Sequence, residues 1–412
     1  MNSVSNTDSQ EQRIILAVAD TGEYDVEASL AELNLLVETA GGLVVAEVIQ
    51  KLGKVDNKTY LGSGKLKEII PIIAETEADV LIVDTELTAS VFRNIKEIVD
   101  IDVVDRTMLI LDIFARNAVT AEGKLQVELA QLKHRLLTLT GLGEQMSRLG
   151  GGIGTRGPGE SKLESDRRHI RTRIGFLEKS LKEITTRREL TRTRRKKGNI
   201  PIISLVGYTN VGKSSLLNAL TGSDVYVMNQ VFATLDSTVR RLSLGDMQEV
   251  VFVDTVGFVS RLPHHLIEAF SSTLEEMKES DIIIKVADAS SNNWDEQLKV
   301  ADEMITKMEC SDIPQIIVFN KCDLIDKDIR LPGISVSAKT KEGLDNLLEE
   351  IAKILKERAI RGDFLIPFDK LSLANLVREK GNIISEEYTD SGLKLSATVD
   401  KEIYHKVEPY LT

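Results

Sequence analysis

The sequence predicts a multidomain α/β protein. It reads as an N-terminal parallel α/β domain, an antiparallel coiled-coil hairpin, a second and larger α/β domain, and a small α+β C-terminal domain. Three observations carry this. Short apolar runs alternate with segments of helical spacing over residues 13–105 and again over 198–360. Two apolar seams with matched four-three-four-three spacing flank a glycine-rich run at Gly150–Gly159. A buried strand, Ile200–Val206, runs into Gly207-Tyr208-Thr209-Asn210-Val211-Gly212-Lys213-Ser214 and then a helical segment.

Bulk properties narrow the class. A chain of 412 residues implies two to four domains. With 42% hydrophobic and 28% charged residues it matches ordinary globular proteins, and no run of eighteen apolar residues suggests a membrane span. The polar start, Met1–Asp8, lacks a signal-peptide core, so residues 1–12 are expected to be a disordered lead, and a cysteine count of two fits a reducing, cytoplasmic setting. Cys310 and Cys322 are the only cysteines, too few for a disulfide framework, and the five histidines form no Cys/His cluster of the zinc-binding kind. The chain carries a net charge of −12, yet Lys124–Lys197 holds 19 Lys/Arg against 8 Asp/Glu. Such a basic block in an acidic chain is a candidate nucleic-acid surface.

The N-terminal domain, residues 13–105, is read from strands at Ile14–Val18, Leu43–Val48, Asp79–Val83 and Ile101–Val104 and from helices at Val26–Ala40, after Gly64, and at Ala89–Val99. Leu61-Gly62-Ser63-Gly64-Lys65 lacks the spacing of a phosphate loop and is read as a turn before a helix. From residue 106 to 197 the pattern is a helical hairpin. One arm runs from Asp105 to about Thr140, with a soft point at Gly123 and a seam of Leu125, Leu129, Leu132, Leu136 and Leu139. The other starts at the capping-box spacing Ser161-Lys162-Leu163-Glu164 and has a seam of Ile170, Ile174, Leu177, Leu181 and Ile184. Arg148 and Arg156 at the tip, with Arg167, Arg168, Arg171 and Arg173 on the returning arm, are the candidate RNA contacts. Arginine grips phosphate bidentately, and glycines let the backbone come close. The bland alternative is a packing or dimerisation arm with a solvated basic face.

Residues 207–214 fit a phosphate-binding loop. Its backbone N–H groups and the following helix N-terminus face anionic oxygens, Lys213 reaches the β- and γ-phosphates, and the Ser214 hydroxyl binds Mg2+. Further on, strands Thr238–Leu244 and Val250–Val253 lead to Asp254-Thr255-Val256-Gly257, where Asp254 holds Mg2+ through water and the Gly257 N–H meets the γ-phosphate. Strand Gln315–Phe319 leads to Asn320-Lys321-Cys322-Asp323. The Asp323 carboxylate accepts guanine N1–H and N2–H, donors that adenine does not offer, so the ligand is GTP/GDP rather than an adenine nucleotide. Ser337-Ala338-Lys339 would present backbone to guanine O6. These motifs, in order at strand ends, make residues 198–360 a P-loop G domain. Lys285, within the apolar strand Ile282–Asp288, has no account from sequence. Residues 361–412 form the tail domain, opening at Phe364–Phe368 with a helix at Leu371–Arg378, strands at Ile383–Tyr388 and Leu393–Val399, and a last helix to Tyr410.

The G motifs combined with the hairpin tip Gly150-Gly151-Gly152-Ile153-Gly154-Thr155-Arg156-Gly157-Pro158-Gly159-Glu160 and with Phe232-Ala233-Thr234-Leu235-Asp236 resemble the HflX family of ribosome-associated GTPases. The resemblance spans nearly the whole chain. Thr234, Ser237 and Thr238 could each supply the switch-I hydroxyl for Mg2+; the family pattern places it on Thr234, making Lys213 and Thr234 the catalytic candidates. The resemblance implies a stress-response factor that binds the large ribosomal subunit and the 70S ribosome through rRNA, acts as a monomer, splits stalled or idle ribosomes with GTP bound, and leaves on hydrolysis. The family is also linked to ATP use by its N-terminal domain, but no Walker loop stands there in this chain.

Phe258 follows Asp-x-x-Gly where Ras-like enzymes carry a water-orienting Gln, so slow intrinsic hydrolysis with stimulation by a partner is expected. His264 and His265 are alternative water-orienting groups, more readily read as surface or structural histidines. Asn210 matches loops that use Asn to coordinate K+. A ribosome-assembly or RNA-modification GTPase, and a nucleotide-gated coiled-coil scaffold, are the competing readings.

Overall fold

The structure, a computed structural model, describes residues 11–149, 158–196, 200–222, 231–232, 238–244, 248–261, 263, 266, 274–326 and 328–412. Residues 1–10 of the N-terminal lead, Arg156, the switch residues Ala233, Thr234, Leu235 and Asp236, and His264 and His265 fall outside the described residues, while Gln12, expected in the lead, opens the first strand. The chain forms two compact units. One comprises Met1–Leu181 with Met228–Asp236 and Ser260–Ser271; the other comprises Lys182–Val227, Ser237–Val259 and Ser272–Thr412.

The first unit opens with β1 (Gln12–Asp20), α1 (Val26–Thr39), β2 (Gly42–Lys51), α2 (Ser63–Thr76), β3 (Val80–Val83), α3 (Ala89–Val99) and β4 (Asp102–Asp105). The strands lie in the order β2-β1-β3-β4 and every pairing is parallel. A parallel sheet is covered on both faces, which is why Ile14–Ala19 is buried without alternation. Asp25 caps α1, its carboxylate accepting from the N–H groups of Glu27 and Ala28. Lys65, in the turn-like Leu61–Lys65 stretch, pairs with Glu68 on the surface of α2 at 3.0 Å.

Three helices follow: α4 (Arg106–Asn117), α5 (Ala121–Leu149) and α6 (Pro158–Lys196). The expected soft point at Gly123 is corrected here. The break lies at Ala118–Thr120, and Gly123 sits inside α5, its N–H donating to the capping Thr120 Oγ1 at 2.9 Å. The α5 helix also continues past Gly141 and Gly143. The α6 helix starts three residues before Ser161, at Pro158, a position where a missing N–H costs nothing. Of the seam residues, Leu129 and Leu177 are buried, while Leu125, Leu132, Leu136, Leu139, Ile170, Ile174, Leu181 and Ile184 are half-buried. Across them, Arg173 makes two bonds to Glu128, at 2.7 and 2.9 Å, and Lys133 meets Glu178 at 2.9 Å.

The second unit is built on β5 (Ile202–Gly207), α7 (Lys213–Thr221), β6 (Thr238–Leu244), β7 (Gln248–Asp254), β8 (Ile282–Asp288), α8 (Trp294–Lys307), β9 (Gln315–Asn320), β10 (Ile334–Ser335) and α9 (Leu344–Arg358). Its sheet runs β10-β9-β8-β5-β7-β6, antiparallel only where β6 meets β7. The core gathers Ile203, Leu205, Leu216, Phe252, Ile284, Val318 and Leu347. Lys285 is now explained: its stem is buried, and its ammonium reaches Asp302 on α8 at 2.7 Å.

The tail has one more strand than its sequence suggests. β11 (Ala359–Ile366) starts directly after Arg358 and is the third member of an antiparallel sheet ordered β11-β13-β12, with β12 at Asn382–Thr389 and β13 at Gly392–Asp400. Arg361, Gly362 and Asp363 obscure its pattern, although Phe364 and Ile366 point into the core as strand alternation requires. The α10 helix (Leu371–Lys380) and α11 helix (Lys401–Val407) cover one face through Ala374, Val377 and Ile403. Since Phe364 is fully buried, Phe364→Ala should destabilise the tail by about 3–5 kcal/mol. Hydrogen exchange should show lost protection in β11 and β13, with guanine-nucleotide affinity unchanged.

Candidate functional site

The strands of the second unit bring four loops together at their C-terminal ends. Leu205 is in register with Asp254, Gly207 with Val286, Asp288 with Asn320, and Phe319 with Ser335. The loop from Gly207 to Ser214 leaves β5 where the strand order reverses, the place where open α/β sheets bind ligands.

Lys213 is buried. Its Nζ donates to the carbonyls of Gly207 at 3.0 Å and Tyr208 at 2.7 Å, which aims the ammonium across the mouth of its own loop. Burial pulls its pKa down to about 8, against the opposing pull of Asp254. Ser214 Oγ donates to Asp254 Oδ2 at 2.6 Å, so the two oxygen groups expected to serve a divalent cation already meet. Oxygen donors of this kind suit Mg2+. Two glycines are required by space. A Cβ on Gly212, which has φ +89°, would lie 2.4 Å from Asn320 Nδ2; one on Gly257 would lie 2.8 Å from Thr209 Cγ2 and 3.0 Å from Lys213 Nζ.

Asn320 links three of the loops. Its buried Nδ2 donates to Val211 O at 2.8 Å, and its Oδ1 accepts from Ala338 N at 3.0 Å. Next to it, Ser337 Oγ donates to Asp323 Oδ1 at 2.6 Å and accepts from Thr340 N at 3.0 Å. These bonds aim the Asp323 carboxylate, an acceptor that matches the two guanine donors. Lys321 pairs with Asp288 at 2.6 Å. Sequence reasoning missed Asp288, although its place at the end of the Ile282–Asp288 run, one strand from Asn320, was a usable signal. Lys339 is exposed and Cys322 is half-buried.

Phe258 is buried, its N–H donating to Gly207 O at 3.0 Å and its carbonyl accepting from Thr209 N at 2.7 Å. It is a core residue that joins Asp254–Gly257 to the phosphate loop, and it offers no side-chain group to orient water. Thr255 is likewise fixed, its Oγ1 donating to Leu205 O at 2.8 Å. Asn210 has φ +62°, a left-handed conformation that Asn tolerates better than most residues, which gives a backbone reason for its identity apart from any ion.

Among the described residues of the first unit, the hairpin arginines divide. Arg167 donates to Leu139 O at 2.6 Å and Arg173 clasps Glu128, so both serve the hairpin itself, whereas Arg168 and Arg171 are exposed. Arg148 lies on α5. Phe232 is buried against Phe114, with ring centroids 4.2 Å apart, and its carbonyl accepts from Asn117 Nδ2 at 2.8 Å.

Three family models match successive stretches of the chain: "GTP-binding GTPase N-terminal" over residues 27–115, "GTP-binding GTPase Middle Region" over 117–195, and "50S ribosome-binding GTPase" over 202–321. The protein named GTPase HflX from Caldanaerobacter subterraneus subsp. tengcongensis is 46% identical over 404 residues, which is 98% of this chain and 94% of that one. GTPase HflX from Lacrimispora saccharolytica is also 46% identical, over 96% of this chain and 95% of its own. A GTP-binding protein of the archaeon Sulfolobus solfataricus, solved with GDP, is 27% identical with a TM-score of 0.44, covering 84% of this chain and 99% of that one. Among the described residues no helix is long and apolar enough to cross a membrane.

The lowered pKa of Lys213 sets a pH dependence. Below about 8 the ammonium is charged and can pair with phosphate; above it, binding must take up a proton. Affinity for GDP should therefore be flat up to about pH 7.5 and then weaken towards a tenfold loss per unit near about pH 9. Titration with a fluorescent GDP checks this, and Lys213→Met should abolish the slope.

Proposed function

Because the chain belongs to the HflX family of GTPases, we propose that this GTP-binding GTP hydrolase engages the large ribosomal subunit and splits stalled or idle 70S ribosomes while GTP is bound, leaving on hydrolysis. The observation that carries this reading is the basic helical hairpin, whose Arg168 and Arg171 are exposed, whereas Arg167 and Arg173 bond to the other arm. Two further points support it: the match of residues 202–321 to a family model described as a 50S ribosome-binding GTPase, and a buried Phe258 that leaves water orientation to another group or to a partner.

In this reading each loop has one task. The Lys213 ammonium holds the β- and γ-phosphates, and the Gly257 N–H contacts the γ-phosphate. Asp323 selects guanine, supported by Ser337, while Asn320 keeps the base and phosphate loops in register. Ser214, Asp254 and Thr234 would hold Mg2+, which when bound neutralises phosphate charge. Thr234 reports the γ-phosphate through switch I. Asn210 would coordinate K+ and so assist hydrolysis.

Sucrose-gradient profiles test the main claim. With a non-hydrolysable GTP analogue the protein should co-sediment with large subunits and deplete the 70S peak; with GDP it should remain near the top. Intact 70S particles with protein at the top in both states would rule the proposal out. Binding should weaken steeply with salt, and Arg168→Glu with Arg171→Glu should lower affinity and flatten the log–log slope by about two charges. Equal GTPase rates in K+ and Na+, with and without ribosomes, would remove the K+ role of Asn210.

A further inference from the structure

Asp288 ends β8 and stands in register with Asn320 at the end of β9, inside the second unit. Its carboxylate is divided between two partners. Oδ1 accepts from the N–H of Ser290 at 2.9 Å and from Ser290 Oγ at 2.6 Å, which fixes the orientation of the group. Oδ2 accepts from Lys321 Nζ at 2.6 Å, in an ion pair whose acidic side chain is 14% exposed and whose basic one is 29% exposed. The turn that carries Asp288 is held from behind. Its N–H donates to Gln297 Oε1 at 3.2 Å, and Gln297 Nε2 donates to Ser291 Oγ at 3.1 Å. Gln297 belongs to α8, so the carboxylate is supported by a regular element rather than by a loop alone.

Lys321 is bent to meet it. It has φ +65°, a left-handed conformation that a non-glycine residue keeps only when its surroundings enforce it. The carbonyl just before it, Asn320 O, accepts from Ala289 N at 2.8 Å, so the two strand ends are tied on either side of the ion pair. Neighbouring strands lie about 4.8 Å apart, and the four-methylene stem of Lys321 covers that gap from the end of β9 to the end of β8. On one side of Lys321 in the chain stands Asn320, bonded to Val211 O and Ala338 N; on the other stands Asp323, held by Ser337. With its ammonium engaged by Asp288, Lys321 offers the base side of the site methylenes rather than charge.

We propose that Asp288 is a positioning residue for guanine-nucleotide binding: its ion pair with Lys321 lays the lysine stem along the face of the base and so lengthens the stay of the nucleotide, while selection of the base is left to Asp323. This rests on guanine-nucleotide binding by the second unit and is independent of the ribosome reading. Asp288→Asn isolates the pair, because the amide oxygen still accepts from Ser290 while the charge facing Lys321 is removed. Lys321→Met isolates it from the other side, keeping an apolar stem without an ammonium.

The test is a double-mutant cycle on the full chain without ribosomes, read as the dissociation rate of a fluorescent GDP from wild type, Asp288→Asn, Lys321→Met and the double variant. Each single change should speed release by about tenfold, as loss of a charge-assisted bond does, and the double variant should release no faster than either single one. Competition by GDP and by inosine diphosphate, which lacks the N2 amino group, should weaken by the same factor in Asp288→Asn, leaving the preference between them unchanged. Release from Asp288→Asn within about twofold of wild type would overturn the proposal. So would effects that multiply in the double variant, since Asp288 would then act through the Ser290 turn and not through Lys321. A lost preference for GDP over inosine diphosphate would also overturn it, since Asp288 would then act on the base-selecting carboxylate. Because ribosomes are absent, no result here bears on ribosome splitting.

Discussion

The nucleotide site depends on one buried carboxamide. Asn320 donates to the phosphate loop at Val211 O and accepts from the base-side loop at Ala338 N. A buried amide that loses one partner leaves a polar group unsatisfied, at a cost of about 1–3 kcal/mol, so the two loops are held in one arrangement. Gly212 is part of the same constraint, because the space a side chain would need there is filled by Asn320 Nδ2. The separation of the two candidate loops, one for phosphate and one for the base, is thereby held by the protein's own hydrogen bonds.

The first unit is organised around a different kind of buried polar group. Asp84 and Glu32 carry charge into the interior, and such charge is tolerable only when paired. Burial by itself would depress Arg106, but Glu32 and Asp84 outweigh it and hold the guanidinium above its ordinary pKa. Similarly, burial pulls His134 down, while Asp105, at 3.4 Å, and Glu86 more than offset it and leave its pKa raised. These groups join α1, the loop after β3, β4, α4 and α5 by charge. The stretch around Arg261 enters that network, so a segment that reads as loop in sequence is fixed by tertiary ion pairing.

Much of the fold was legible because its signals are local. The strand β8 coincides with the apolar run Ile282–Asp288, and the seam residues of both hairpin arms are buried or half-buried. Strand β11 was not legible, since Gly362 and two charged neighbours break its pattern; pairing with β13 supplies the hydrogen bonds that make it a strand. The break before α5 was placed at Gly123 because glycine weakens helices, yet Thr120 caps the helix and tolerates glycine in its first turn. Lys285 looked out of place until Asp302, seventeen residues on, appeared beside it.

By itself, the sequence carried the motifs of a guanine-nucleotide site and their order, because those are residue types at fixed spacing: Lys213 and Ser214 after the glycines, Gly257 after Asp254, Asp323 after Asn320. Tertiary structure alone decided which polar groups spend their hydrogen bonds inside the protein. Arg167, Arg173 and Arg261 share one residue type and one charge with Arg168 and Arg171, but the first three are bonded within the fold and the last two are exposed. A guanidinium's role follows from the acceptors around it, and those acceptors, Leu139 O, Glu128 and Asp84, come from distant parts of the chain.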